Sequence, residues 1–177
     1  MNLKATLMDE ANVNRAITRI AHQIIEKNED AESICLIGIK TRGVPLSARL
    51  KKNIKEICGY DVPVGVLDIT LYRDDIAKPG MDPVINSSDI PFDVTGKNII
   101  LTDDVLFTGR TIRAALDAIV SLGRPSTIQL AILIDRGHRE FPIRADYVGK
   151  NVPTSRSETV SVNFSETDGK DNVELYI

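Results

Sequence analysis

A chain of 177 residues, 42 % hydrophobic and 27 % charged, carries enough apolar material for a sizeable core and is expected to form a single domain over 1–177. Its formal net charge of −3 excludes attraction to nucleic acid by bulk positive charge, so any such surface has to be a local patch. Cys35 and Cys58 form no Cys-x-x-Cys pair and the two histidines, His22 and His138, lie far apart, which argues against zinc and for two idle thiols in a reducing compartment. No signal peptide or long apolar run stands out, and a cytoplasmic protein without membrane association is expected.

In chain order, Asp9 to Lys27 is predicted as a helix, because Val13, Ile17, Ile20 and Ile24 recur at helical spacing behind an Asp cap. Its opposite face groups Arg15, Thr18, Arg19 and His22, a polar stripe with positive charge. Ser33 to Ile39 reads as a buried strand, Lys40-Thr41-Arg42-Gly43 as the loop after it, and Val44 to Ile57 as the next helix. Val62 to Leu71 reads as a strand. From Tyr72 to Phe92, Pro79, Gly80, Pro83, Asn86 and Pro91 break regular structure and predict a long functional arm.

Asn98 to Leu101 is an apolar run ending in Asp103 and Asp104. A short loop with Thr108, Gly109 and Thr111 follows, then a helix to Leu122 stopped by Gly123. This order places two acids at the carboxyl end of a strand and hydroxyls at a helix N-terminus, the ligand end of an open α/β sheet. Free N–H groups at the helix start suit a phosphate, and the acids suit vicinal hydroxyls. Any one of these residues fits an ordinary cap or turn, whereas the ordered set points to a sugar phosphate. Ser126 to Ile134 is a further strand that delivers Asp135-Arg136-Gly137-His138-Arg139 to the same crevice. Ala145–Val148, Thr159–Asn163 and Val173–Ile177 read as short strands of a C-terminal β-rich cap. There is no Gly-x-x-x-x-Gly-Lys-Ser/Thr and no Gly-x-Gly-x-x-Gly in the chain.

Ile100-Leu-Thr-Asp-Asp-Val-Leu-Phe-Thr-Gly-Arg-Thr111 resembles the phosphoribosyl-pyrophosphate (PRPP) motif of the type I phosphoribosyltransferases, and Gly38-Ile-Lys-Thr-Arg-Gly43 stands where that family binds pyrophosphate. The resemblance implies an α/β fold with a central, mostly parallel sheet flanked by helices, a flexible hood over about 72–92 and a small cap. It implies PRPP or nucleotide binding by Lys40, Thr41, Arg42, Arg73, Asp103, Asp104, Val105, Leu106, Phe107, Thr108, Gly109, Arg110 and Thr111. Asp103, Asp104 and Arg42 would carry the catalysis, with Mg2+ held mainly by PRPP and no direct protein ligand to the metal.

Asp135 to Arg156, with Tyr72-Arg-Asp-Asp75, is similar to the bacterial family of bifunctional pyrimidine-operon attenuation regulators and uracil phosphoribosyltransferases. That resemblance implies uracil as the accepted base, with Arg136 and the backbone at Val160 lining its site. It further implies binding of a leader mRNA hairpin through Thr18, Arg19, His22, His138, Arg139, Lys150 and Arg156, with UMP and UTP as effectors and a homo-oligomer, dimer or tetramer. Two alternatives stand beside it: a salvage enzyme for uracil or hypoxanthine without RNA binding, and a nucleotide sensor without turnover.

Overall fold

The computed structural model describes residues 1–70 and 88–177. The arm predicted at 72–92, apart from 88–92, lies outside the described residues, as does Arg73 at its base. Five parallel strands make the central sheet: β2 (Ile34–Ile39), β3 (Val64–Leu67), β4 (Asn98–Leu106), β5 (Thr127–Asp135) and β6 (Tyr147–Asn151), in the order β3-β2-β4-β5-β6. A second, antiparallel sheet has the order β1-β8-β7, from β1 (Leu3–Met8), β7 (Thr159–Asn163) and β8 (Asn172–Tyr176).

Side chains alternate across a strand, and this sorts the core into two layers. Ile34, Leu36, Ile100, Ala131 and Leu133 meet the apolar stripes of α1 (Glu10–Lys27) and α2 (Gly43–Cys58) together with the inner face of the cap sheet. Cys35, Ile37, Ile99, Leu101, Leu130 and Ile132 meet α3 (Arg110–Leu122). α1 starts where expected: the Asp9 carboxylate accepts the Asn12 N–H at 2.8 Å. It ends in a buried polar knot, in which the Asn28 amide donates to Gln129 at 3.1 Å and to the Tyr147 hydroxyl at 3.3 Å, so the helix end is locked to β5 and β6. Among the described residues no helix is long and apolar enough to cross a membrane.

The strand order dictates where a ligand fits. From β2 the chain moves through α2 to β3 on one side, whereas β4 returns to the other side of β2 and proceeds through α3 to β5. α2 and α3 therefore cover opposite faces, and the carboxyl ends of β2 and β4 part around a crevice, as at any such reversal of strand order.

Three expectations change. β4 does not end at its acids but runs on past Asp103 and Asp104 to Leu106, because its partner β5 pairs with it as far as Asp135. The segment read as the first cap strand is instead β6, an edge of the main sheet paired in parallel with β5. Its outer half is exposed, which makes it look like a detached strand in sequence. The cap's third strand is β1, mostly exposed and apolar only in part, and its partner β8 lies at the far end of the chain.

Candidate active site

The basic side of the crevice, where pyrophosphate is expected, is Lys40-Thr41-Arg42, between the end of β2 and the start of α2. It is pressed onto β4 by two contacts. The Thr102 hydroxyl donates to the Gly43 carbonyl at 2.8 Å, and a Cβ on Gly43 would stand 2.2 Å from the Thr102 carbonyl oxygen, so only glycine lets the loop reach the acids. The Lys40–Thr41 peptide is cis.

Across this contact, Asp103 is buried and its carboxylate accepts the Asp104 N–H at 3.0 Å, while Asp104 accepts the Val105 N–H at 2.9 Å. Burial pushes the Asp104 carboxyl above the usual carboxylate range, against the opposing pull of hydrogen bonds and of the Arg42 charge. Gly109, at φ 91°, turns the chain into α3. The first N–H groups of that helix consequently lie beside Thr108 and Thr111 in the geometry that receives a phosphate. The loop is braced from behind: Thr108 O accepts the N–H groups of Glu140 and Phe141 at 2.8 and 3.2 Å, and Arg110 pairs with Glu140 at 2.6 Å.

Lys40, Thr41, Arg42, Asp103, Asp104, Val105 and Thr111 line one pocket of about 450 Å3. Asp68, Ile69 and Thr70 complete it and were absent from the expected set. Their only signal in the sequence is that polar groups appear as the β3 run ends, and the Asp68 carboxylate holds Thr70 through its N–H at 3.0 Å and its hydroxyl at 2.6 Å. Leu106 is a core side chain and contributes its carbonyl, which accepts the Arg136 N–H at 3.1 Å.

Phe107 forms a second wall. The Arg136 guanidinium lies over its ring at 4.0 Å, and the His138 ring meets it edge-on at 5.9 Å. Arg136 is buried and donates to Thr154 Oγ1 at 3.0 Å, to Ser155 O at 3.0 Å and to Glu158 O at 2.7 Å. Burial lowers its pKa, with Glu158 opposing. These bonds draw the segment before β7 to the end of β5. The Val160 side chain packs into the core, and its backbone lies on β7, an edge strand.

The residues expected to meet RNA fall into two groups. Arg19 and Lys150 line one open groove with Leu7, Asn12, Gly149 and Arg15, a cation outside the expected RNA set; there Arg19 donates to Gly149 O at 2.5 Å and Lys150 to Leu7 O at 2.9 Å. Thr18 and His22 are exposed on the same helix, Thr18 accepting from Asn53 at 3.3 Å. His138 and Arg139 instead sit in the loop after β5. His138, at φ 62°, is bonded to Thr154 O, and Arg139 is engaged by Asp135, Phe107 O and Ile143 O. Arg156 is exposed in the loop before β7. Arg139 thus fastens the loop, while Arg156 and the groove cations face outward.

A strand-end crevice with a phosphate loop, paired acids and a basic loop defines a class of protein, and a comparison of families agrees: residues 5–166 match the phosphoribosyl transferase domain. The chain belongs to that family. It is 60 % identical over 176 residues to bifunctional protein PyrR of Thermus thermophilus, covering 99 % of this chain and 97 % of the relative. It is 58 % identical over 172 residues to bifunctional protein PyrR of Clostridioides difficile, covering 97 % of each. Among solved structures, a hypoxanthine-guanine phosphoribosyltransferase from Bacillus anthracis superposes with a TM-score of 0.75 at 22 % identity over the full length of both chains, a likeness of fold.

Proposed function

We propose that this chain transfers phosphoribose from PRPP to uracil, giving UMP and pyrophosphate, and that it also binds a leader mRNA hairpin in response to UMP, with UTP as a second effector. The observation that carries the catalytic half is the convergence of Lys40–Arg42, Asp103–Asp104 and Thr111 on one pocket. A ligand with a diphosphate, a ribose diol and a 5-phosphate uses all three. The name of the relatives supports two activities; on this reading Arg136 and the Val160 backbone meet the uracil edge.

In the reaction, the bond from ribose C1 to the pyrophosphate oxygen breaks with both electrons leaving on the diphosphate. The uracil nitrogen bonds to C1, and its proton passes to the departing diphosphate or to solvent. Arg42 and Lys40 meet the growing negative charge, the start of α3 holds the 5-phosphate, and Asp103 and Asp104 orient the ribose hydroxyls. Among the described residues no cluster of three or more His, Cys, Asp or Glu can hold a metal unaided. Mg2+ fits as a partner of the ligand, with Asp103 and Asp104 nearest its ribose end, and supplies charge neutralisation on the diphosphate when bound.

For the RNA half, support comes from the groove of Arg15, Arg19 and Lys150. The register of β5 and β6 sets Lys150 beside Ile134, just before Arg136, so one strand pair joins the groove to the uracil wall. The protein acts as a homo-oligomer and stays in the cytoplasm. Purified protein with uracil, PRPP and Mg2+ is expected to yield UMP. A gel shift with leader RNA is expected to tighten when UMP is added; RNA affinity indifferent to UMP would overturn the effector reading, and no shift with or without UMP would reduce the protein to a salvage enzyme.

A further inference from the structure

The turn between β7 and β8 is fastened to the pyrophosphate side of the pocket at two places. Through Arg49, α2 donates to Glu166 at 2.8 and 2.6 Å, to Ser165 at 3.1 Å and to Asp171 at 2.7 Å, and the Arg49 guanidinium lies 5.0 Å from the Phe164 ring centroid. At the start of the same helix Arg42 donates to Asp168 through Nη2 at 2.8 Å and Nε at 3.3 Å. The Asp168 carboxylate also accepts the Phe164 N–H at 3.0 Å and the Thr167 hydroxyl at 2.8 Å, so its place is set by its own turn before Arg42 is counted.

We propose that Asp168 is a positioning residue for Arg42: it holds the guanidinium side-on at the pocket, so that the remaining N–H groups meet the departing diphosphate without first being ordered. The turn Phe164–Asp171 thereby becomes part of the pyrophosphate subsite, an inference that rests on the PRPP reading of the pocket. A free arginine loses rotamer freedom when it grips a ligand, and one already clamped by a fixed carboxylate loses less. The Arg42 hydrogen bond lowers the Asp168 carboxyl to about 2, so the clamp stays ionised at every pH of interest. With the Arg42 side chain 38 % exposed, the pair adds little to folding, and its effect belongs to the reaction. An Asp168 that merely competed with diphosphate for Arg42 would have the opposite effect, since its removal would speed turnover.

The test is steady-state UMP formation by the full chain, as wild type, Asp168→Asn, Asp168→Glu, Arg42→Ala and the double variant Arg42→Ala/Asp168→Asn. Asp168→Asn is expected to lower kcat by roughly tenfold to a hundredfold with the KM for uracil unchanged and near-wild-type melting. In the Arg42→Ala background the same change is expected to do nothing more, because its only route is through Arg42. Asp168→Glu, which keeps the charge, is expected to fall between wild type and Asp168→Asn, and this comparison decides the matter if Asp168→Asn melts early. Asp168→Asn with turnover at or above wild type, losses that multiply with Arg42→Ala, or Asp168→Glu no better than Asp168→Asn would each overturn the proposal. Absence of UMP from the wild type would instead overturn the enzymatic reading itself.

Discussion

At Asp104 the balance between burial and the Arg42 charge has a consequence for pH. A carboxyl raised above its ordinary value of 3.8 takes up its proton earlier as pH falls, and the neutral acid is a poorer partner for ribose hydroxyls and Mg2+. The KM for PRPP is therefore expected to rise as pH is lowered, and to do so at a higher pH than an ordinary carboxylate would set, while Asp104→Asn is expected to flatten that limb and to cut turnover roughly a hundredfold with the fold intact. Near-normal activity of Asp104→Asn would remove this carboxylate from the mechanism. Gly109 gives a second test. At φ 91° a side chain costs roughly 1–2 kcal/mol, and its Cβ would stand 3.4 Å from Phe141 and Ile143. Gly109→Ala is expected to lower the melting temperature and to weaken PRPP binding, since the phosphate loop must shift to relieve the strain.

At the scale of elements, what could be read from sequence follows how local each contact is. The phosphate loop was readable because strand, acids, turn and helix start lie within Asn98 to Thr111, and their order alone carries the chemistry. Arg42 and Asp168 stand 126 residues apart and Arg49 and Asp171 stand 122 apart, so neither pair leaves a periodic trace. The same holds for β1, whose partner is β8, and for β6, where only three-dimensional pairing with β5 tells an edge strand from a separate cap. One element-scale prediction concerns the knot of Asn28, Gln129 and Tyr147, three buried polar side chains bonded only to one another and to nearby backbone and hydroxyl groups. Gln129→Leu leaves the Asn28 amide and the Tyr147 hydroxyl short of partners and is expected to destabilise the protein by roughly 1–3 kcal/mol, measured by denaturant unfolding. The loss loosens α1 on β6, so RNA affinity is expected to fall while UMP formation holds.

For the molecule as a whole, if RNA sits in the proposed groove of Arg15, Arg19 and Lys150, a net charge of −3 leaves its affinity to a few cations against a mildly repulsive background. Affinity is then expected to fall steeply with salt, and Arg19→Ala to weaken binding to all sequences and to reduce the slope of log K against log salt by about 1 unit. An unchanged slope for Arg19→Ala would move the RNA to another face. Because the proposed catalytic crevice lies between β2 and β4 while the groove lies between α1 and β6, the same variant is expected to keep its kcat for UMP formation.

The pairing of β1 with β8 also sets an order in time. Synthesis releases the strands of the parallel sheet early, whereas residues Leu3–Met8 have no partner until Asn172–Tyr176 has left the ribosome. Until the chain is nearly complete, β1 therefore stands unpaired in front of α1. In pulse-labelled hydrogen exchange during refolding, β1 amides are expected to gain protection with those of β8 and after those of β4 and β5. The bracket that holds Arg42 is accordingly the last part of the active site to be made.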